Sequence, residues 1–276
     1  MWPLSRTSTR EVVRIGRLAA ERWVGTPKGL SLVASQPLPD DALNKPECLG
    51  LALSSLYTDK PLSRISLVLE SAWSPLLLAD TGGVLWGSAQ VTALARHRLG
   101  SLYGRPGDDL ADWEVRVDHR AGDRFALCYG VAPRVKQDLL NAAQQAGLQL
   151  DELTPAFAWG WQRLRPARQW PRQTGWWVWS EQDRRLVARV EAGRLVALNP
   201  AAPLGDASVM IEQIVNAEGI RWGLDARSGP IGVASWLPPT QLPPPLGDHM
   251  VWCALIGDVL VAQASAGSAG LDRASA

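Results

Sequence analysis

The chain lacks every complete catalytic signature that residue spacing can reveal. Its 276 residues contain no G-x-x-x-x-G-K-[ST] phosphate loop, no G-x-G-x-x-G turn, no H-E-x-x-H zinc helix and no G-x-S-x-G nucleophile elbow. The three histidines, His97, His119 and His249, lie far apart, and nothing in the sequence marks a nucleophile beside any of them. We therefore predict no catalytic residues and no metal ligands.

Cysteine is scarce, and its spacing suggests no pairing. Cys48, Cys128 and Cys253 are widely separated and form no C-x-x-C pair, which excludes the usual zinc and thioredoxin-type patterns. Each lies in an apolar run, so we expect buried thiols that pack as small hydrophobic groups. Free thiols of this kind are typical of the reducing cytoplasm.

The sequence also lacks a long hydrophobic run and a strong net charge. Its longest apolar stretch, residues 250–266, is interrupted by Asp258, whereas a membrane span needs roughly 20 apolar residues. We therefore predict two buried strands divided at Gly257–Asp258. Charges interrupt residues 1–23, so no signal-peptide core forms there. The net charge of +1 gives no general attraction for nucleic acid, and no such partner is expected. The expected location is the cytoplasm.

Apolar and charged contents of 46% and 20% are those of a globular chain, and the hydrophobic periodicity predicts an α/β fold with mixed sheets. Helices are expected at residues 46–56, 89–103, 133–146, 155–164 and 207–219. Strands are expected as hairpins at 65–80 and 113–130, as a meander at 176–200, and singly at 148–153, 220–225, 231–237 and 251–257. Residues 12–36 indicate strands or short irregular elements.

A change in composition divides the chain. Residues 163–175 are rich in Arg, Pro and Gln, which is typical of a linker between lobes. We predict a first lobe over residues 1–165, a second lobe over 166–264 and a flexible tail over 265–276.

Several words of the sequence resemble a known protein family. They are "LESAWSPLLLAD", "ALARHRLGSLYG", "WEVRV" and "FALCYGVAPRVKQDLLNAAQQAGLQLDELTP", in this order within residues 60–200. They are similar to proteobacterial actin-like assembly proteins of type IV pilus and type II secretion machines, the PilM and GspL group. The resemblance implies a fold of the actin, sugar-kinase and Hsp70 kind, in which two ribonuclease-H-like lobes face a cleft.

The resemblance also implies where a nucleotide would bind. In active members of that superfamily a β-hairpin in each lobe cradles phosphates, with glycine at the turn and a carboxylate for hydrated Mg²⁺. Here the first hairpin is expected to turn at "ESAW" and the second at "SEQDRR". Glu70, Glu181 and Asp183 are present, but both turns lack glycine.

A separate candidate for ATP and Mg²⁺ is the turn Asp80-Thr81-Gly82-Gly83, which resembles the phosphate turn of some actin-like ATPases. An Asp followed by two glycines is also a common β-turn. The plain turn is the favoured interpretation, and no cofactor is expected, with Asp80, Thr81, Gly82 and Gly83 kept as the candidate nucleotide-binding residues.

Residues 159–177 interleave tryptophan with arginine, the two residue types most enriched at binding hot spots. The alternative interpretation is buried tryptophans beside a solvated basic linker. The candidate partner-binding residues are Trp161, Arg163, Arg165, Arg168, Trp170 and Arg172.

Three functions remain open from the sequence. The resemblance and the incomplete phosphate turns favour a non-catalytic cytoplasmic scaffold, peripheral at the inner membrane, that binds the cytoplasmic segment of a membrane protein. The second function is a nucleotide-binding ATPase of the same fold that uses the Asp80–Gly83 turn. The third is an unrelated small-molecule enzyme, which no residue specifically supports.

Overall fold

The computed structural model describes residues 11–26, 29–58, 64–104, 110–120, 122–164, 174–201, 208–224, 229–236, 250–256 and 259–263. Within these ranges the chain forms three β-sheets and five α-helices, which confirms the α/β class with mixed sheets. No helix in the described part of the chain is long and apolar enough to cross a bilayer. The predicted lobe boundary falls mostly on residues 165–173, outside these ranges, and stays a prediction.

The first sheet has the strand order β3-β2-β1-β4-β8. Its strands are β1 (Glu11–Ile15), β2 (Ala19–Thr26), β3 (Gly29–Pro37), β4 (Arg64–Leu69) and β8 (Gln149–Pro155). The first three form an antiparallel meander, and β4 and β8 extend it in parallel from β1. Two helices, α1 (Cys48–Leu56) and α3 (Pro133–Gln145), share a buried apolar cluster with this sheet.

The ends of α3 follow from its sequence. Pro133 occupies the first turn, where its missing N–H costs nothing. Gly147 follows the helix with φ +67°, a left-handed conformation that favours glycine. The Leu148 N–H then donates to the Ala143 carbonyl over 2.8 Å, so the chain turns directly into β8 as the sequence predicts.

A smaller antiparallel sheet has the order β5-β7-β6, with β5 (Leu76–Asp80), β6 (Glu114–Asp118) and β7 (Phe125–Val131). α2 (Ser88–Tyr103) packs on it through an apolar cluster that includes the buried Cys128. The predicted hairpin at residues 65–80 is wrong, because β4 and β5 lie in different sheets. Both strands are short, apolar and joined by a tight turn, so periodicity alone cannot show that the chain changes sheet between them.

The third sheet has the order β11-β10-β9-β12-β13-β14. Its strands are β9 (Gly175–Ser180), β10 (Arg185–Glu191), β11 (Arg194–Ala201), β12 (Ile231–Ser235), β13 (Met250–Ile256) and β14 (Val259–Gln263). It repeats the plan of the first sheet, an antiparallel meander followed by two parallel strands, and adds β14 antiparallel to β13. The predicted strand at residues 220–225 is wrong, because residues 220 and 221 are the last of α5 (Ser208–Arg221) and a turn follows.

A core rich in tryptophan joins the two larger sheets. It contains α4 (Ala156–Leu164) and the buried side chains of Trp23, Trp159, Trp161, Trp177, Trp179 and Trp236. The rings of Trp159 and Trp236 stack with centroids 5.2 Å apart. Trp161 is only 6% exposed, so the structure places this candidate partner-binding residue in the core. The tryptophans of this cluster pack in a core, and a role of Trp161 in partner binding stays a prediction.

Candidate functional site

The two meanders meet at their first turns. In the first sheet, β1 and β2 are joined by residues 16–18, and in the third sheet, β9 and β10 are joined by residues 181–184. The prediction that the first hairpin turns at "ESAW" is wrong, since residues 70–73 follow β4 and lie beside the turn at residues 16–18. Two regions about 165 residues apart in sequence thus form one junction, in which the Leu18 N–H and the Gln182 side chain are hydrogen-bonded at a sequence separation of 164.

Gln182 fills the turn between β1 and β2. Its amide oxygen accepts hydrogen bonds from the Leu18 N–H at 2.9 Å and from the Ala19 N–H at 3.0 Å. Its amide nitrogen donates to the Ala19 carbonyl at 3.3 Å and to Glu21 at 3.1 Å. A Cβ atom at Gly16 would lie 2.7 Å from the Gln182 amide nitrogen, so only glycine leaves room for this side chain.

This arrangement does not fit a nucleotide phosphate. Successive backbone N–H groups at a glycine turn are the donors that cradle phosphate oxygens, and here Leu18 and Ala19 direct theirs at the neutral carboxamide of Gln182. Glu21 and Glu70 also contact Gln182, and their negative charge would repel a phosphate. We therefore derive no phosphate-binding step at this turn.

Glu70 is the most deeply buried carboxyl group of the junction, with no exposed surface. It accepts hydrogen bonds from the Arg14 Nε at 2.7 Å and from the Gln182 backbone N–H at 3.1 Å. Arg14 also donates to Glu21 at 3.2 Å, and its guanidinium lies 5.0 Å from the centre of the Trp236 ring. Burial raises the pKa of Glu70 while the charge of Arg14 opposes the rise.

Glu181 belongs to the turn between β9 and β10 of the third sheet, and its side chain contacts the segment after β4. Its carboxyl group accepts the Ser71 N–H at 2.9 Å and also bonds the Ser71 hydroxyl. Burial, followed by the nearby charge of Glu70, raises the pKa of Glu181 to about 8.

The carboxyl oxygens of Glu70, Glu181 and Asp183 lie within 4.8 Å of one another. All three groups already have protein donors: Arg14 on Glu70, Ser71 on Glu181, and Arg184, at 3.0 and 3.1 Å, on Asp183. Hydrated Mg²⁺ needs carboxylate oxygens that are free to face its water shell. The cluster therefore does not fit the ion that the resemblance implies, and we assign no metal to it.

The candidate residues Asp80, Thr81, Gly82 and Gly83 form a turn after β5. The Asp80 carboxylate accepts the Gly82 N–H at 2.8 Å and pairs with Arg124 at 3.1 Å, a bond that holds the pKa of Asp80 below its usual value. The Thr81 hydroxyl donates to the Asp123 carbonyl at 2.7 Å. Gly82 and Gly83 have φ values of +69° and +73°, which explains both glycines. These local contacts support the plain turn, and nucleotide binding there stays a prediction.

A groove of about 400 Å³ opens beside the junction. Its walls come from the segment after β4, from the end of α2, from the start of α3 and from the turn between β9 and β10. They include Ser71, Trp73, Tyr103, Arg134, Val135 and Arg184. Sequence reasoning missed this groove, because its residues are scattered over the chain and share no motif.

The remaining candidate partner-binding residues fall at the end of the described part of the first lobe. Arg163 lies in α4, and Arg165, Arg168, Trp170 and Arg172 lie outside the described residues. Their role stays a prediction.

Comparison with known proteins shows the fold and no more. Neither a known sequence family nor a curated protein matches the chain. A Bacteroides thetaiotaomicron protein described as having an actin-like ATPase fold and unknown function superposes with a TM-score of 0.54 at 8% identity, over 84% of each chain. A chain of the PilM–PilN type IV pilus biogenesis complex superposes with a TM-score of 0.51 at 15% identity, over 79% of this chain and 67% of that one.

The cytoplasmic domain of EpsL, an inner-membrane component of the Vibrio cholerae type II secretion system, is also similar, with a TM-score of 0.49 at 15% identity over 87% of this chain and 90% of that domain. Such low identities describe architecture, because one fold hosts many functions. The chain therefore has the actin-like fold, with two ribonuclease-H-like sheets that meet at the junction around Gln182.

Proposed function

We propose that this chain is a non-catalytic scaffold of an inner-membrane assembly machine of the type IV pilus or type II secretion kind. It works at the cytoplasmic face of the membrane and binds the cytoplasmic segment of a membrane protein. The observation that carries the proposal is the position of Gln182. Its carboxamide accepts hydrogen bonds from the backbone N–H groups of the turn between β1 and β2, which corresponds to a phosphate-binding turn in active members of the superfamily. The likeness to a chain of the PilM–PilN complex supports the choice of machine.

The contacts at the junction do not suit a nucleotide cycle. An actin-like ATPase needs free donors for phosphate and lobes that separate to exchange nucleotide. Here the lobes are connected directly by hydrogen bonds of Arg14, Glu70, Gln182 and Glu181. The tryptophan-rich core also contains residues of both lobes. A protein with this arrangement contributes to its machine through its surface.

The groove beside the junction is the proposed docking surface. Trp73, Tyr103 and Val135 offer apolar area, and two guanidinium groups, of Arg134 and Arg184, lie at its walls. Arg134 pairs with Glu47 over 3.3 Å, and both side chains are more than 60% exposed, so this ion pair is weak and can be replaced. An extended segment that carries both apolar and acidic residues therefore fits the groove.

Val135→Glu is expected to weaken capture of that segment at least tenfold, because it places a negative charge where an acidic, apolar peptide lies. A photo-reactive amino acid at position 103 would first cross-link the partner in cells. A synthetic peptide of the partner's cytoplasmic segment would then be titrated into the purified protein. Leu140→Glu is the control, since Leu140 lies on the same helix, is exposed and does not line the groove.

The same experiment tests the basic segment. Normal capture by Val135→Glu, together with loss in Arg165→Glu/Arg168→Glu at unchanged thermal stability, would move the docking surface to residues 163–172. Normal capture by both variants, or a cross-linked partner without a membrane anchor, would contradict the proposed function.

A further inference from the structure

The junction buries the carboxyl group of Glu181, which forms no ion pair within the described residues. Glu181 is 3% exposed, and the hydrogen bonds to its carboxyl group come from the backbone and hydroxyl of Ser71. Among the described residues, no lysine, arginine or histidine forms an ion pair with it. An ionised carboxylate in such a place is costly, whereas a neutral acid is readily accommodated.

The charged groups around Glu181 are already engaged with one another. On the side of the first lobe, Glu70 is held by Arg14, which also bonds Glu21. On its own turn, Arg184 is paired with Asp183 and its charge only partly offsets the rise in the pKa of Glu181, and the guanidinium of Arg185 donates to the Glu181 carbonyl. Arg17 lies 3.9 Å from Asp183. Glu70, which has a carboxyl oxygen within 4.8 Å of one of Glu181, would repel a second negative charge.

Ser71 provides hydrogen bonds that either protonation state of Glu181 can use, and as donors to an ionised carboxylate they partly oppose the rise in its pKa. The Ser71 N–H donates to one carboxyl oxygen of Glu181, and the Ser71 hydroxyl bonds the other. A protonated carboxyl group accepts the first hydrogen bond through its carbonyl oxygen and donates its own O–H to the serine oxygen. Both bonds cross from one lobe to the other, so they exist only while the lobes are closed.

We propose that closure of the two lobes takes up one proton at Glu181, which makes the junction a proton-linked latch. In separated lobes Glu181 meets water and loses its proton near the usual value for glutamic acid. In closed lobes its pKa is about 8. A pKa that is raised in the closed state stabilises closure fully below the usual value, and this stabilisation is lost as the pH rises to about 8.

Amide hydrogen exchange of residues 70–74 and 181–184 measures opening of the latch, once each measured rate is divided by the intrinsic exchange rate of that amide. Between about pH 5 and about pH 7.5 the protection of these amides in the wild-type protein should fall about tenfold per pH unit. Glu181→Gln should remove this dependence, because its carboxamide keeps both bonds to Ser71 and does not titrate. Glu191→Gln, at the far end of β10, should retain it.

Amides of β12 report global unfolding and separate it from opening of the latch. The proposal is overturned if the wild-type protein and Glu181→Gln show the same pH dependence, or if the amides of β12 lose protection in parallel with the junction. Should Glu181→Gln fail to fold, carbon-13 resonances of the wild-type glutamate carboxyl groups decide the matter. The resonance assigned to Glu181 must titrate well above the usual range, and the proposal fails if it does not.

Discussion

Arg14→Leu is expected to destabilise the protein by about 3–5 kcal/mol at neutral pH, the range found when one partner of a buried ion pair is removed. Arg14 is the cation that neutralises the fully buried Glu70, and it also bonds Glu21. Without it, the carboxylates of Glu70 and Glu21 lose the cation that they share. Acidic pH should restore part of the loss, because the pKa of Glu70 would rise further and the group would take up a proton.

Denaturant unfolding at neutral and acidic pH measures this effect. The double variant Arg14→Leu/Glu70→Leu should recover much of the lost stability, since it removes both charges. Lys45→Ala serves as the contrast, because it breaks an exposed ion pair with Asp41 and should leave stability unchanged. Arg14→Leu with wild-type stability at neutral pH would show that Glu70 does not depend on Arg14 for its charge balance.

Gly160→Ala should also destabilise the protein strongly, by about 3 kcal/mol or more. Gly160 lies in α4 against Trp179, and an added Cβ would be 2.6 and 2.8 Å from two atoms of the buried indole ring. Helix propensity alone favours alanine by about 1 kcal/mol, so packing has to reverse the intrinsic preference. The indole is fully buried in the core that joins the two larger sheets, so it can move only by displacing its neighbours.

Gly50→Ala is the matched control for this substitution. It lies in α1, where an added Cβ would meet the Ala142 Cβ at an ordinary 3.6 Å, so only helix propensity acts and stability should stay equal or increase. Thermal unfolding of the two variants should therefore move in opposite directions or differ by several degrees. A Gly160→Ala protein as stable as Gly50→Ala would mean that the core between the lobes is loosely packed.

The sequence predicts well those helices and strands that have regularly spaced apolar residues and clear turn residues at their ends. The Pro133 start and Gly147 end of α3, the meander from β9 to β11, and the strands on either side of Gly257–Asp258 all follow from turn residues and periodicity. The predictions that fail concern segments whose position depends on tertiary structure. β4 and β5 have hairpin spacing but belong to different sheets, and Ile220 is apolar yet 81% exposed at the end of α5.

The junction was only half visible in the sequence. The resemblance implies a carboxylate at each phosphate hairpin, and on that ground the sequence indicates Glu70, Glu181 and Asp183, but it places the first turn after β4 and not between β1 and β2. Gln182 carries no signal of its own, since its role depends on a turn far away in the chain. The one local hint was Gly16 between two apolar strands, which marks a position where another group comes close to the backbone.

We propose that the Gln182 side chain takes up the backbone donors that an actin-like ATPase would offer to a nucleotide phosphate. Calorimetric titration of the wild-type protein with ATP and Mg²⁺ tests it most directly. We expect no heat of binding up to millimolar nucleotide, because Gln182 holds the backbone donors of Leu18 and Ala19 and acidic groups surround them. A micromolar dissociation constant would contradict the account, and its loss in Asp80→Ala would assign the nucleotide to the turn after β5.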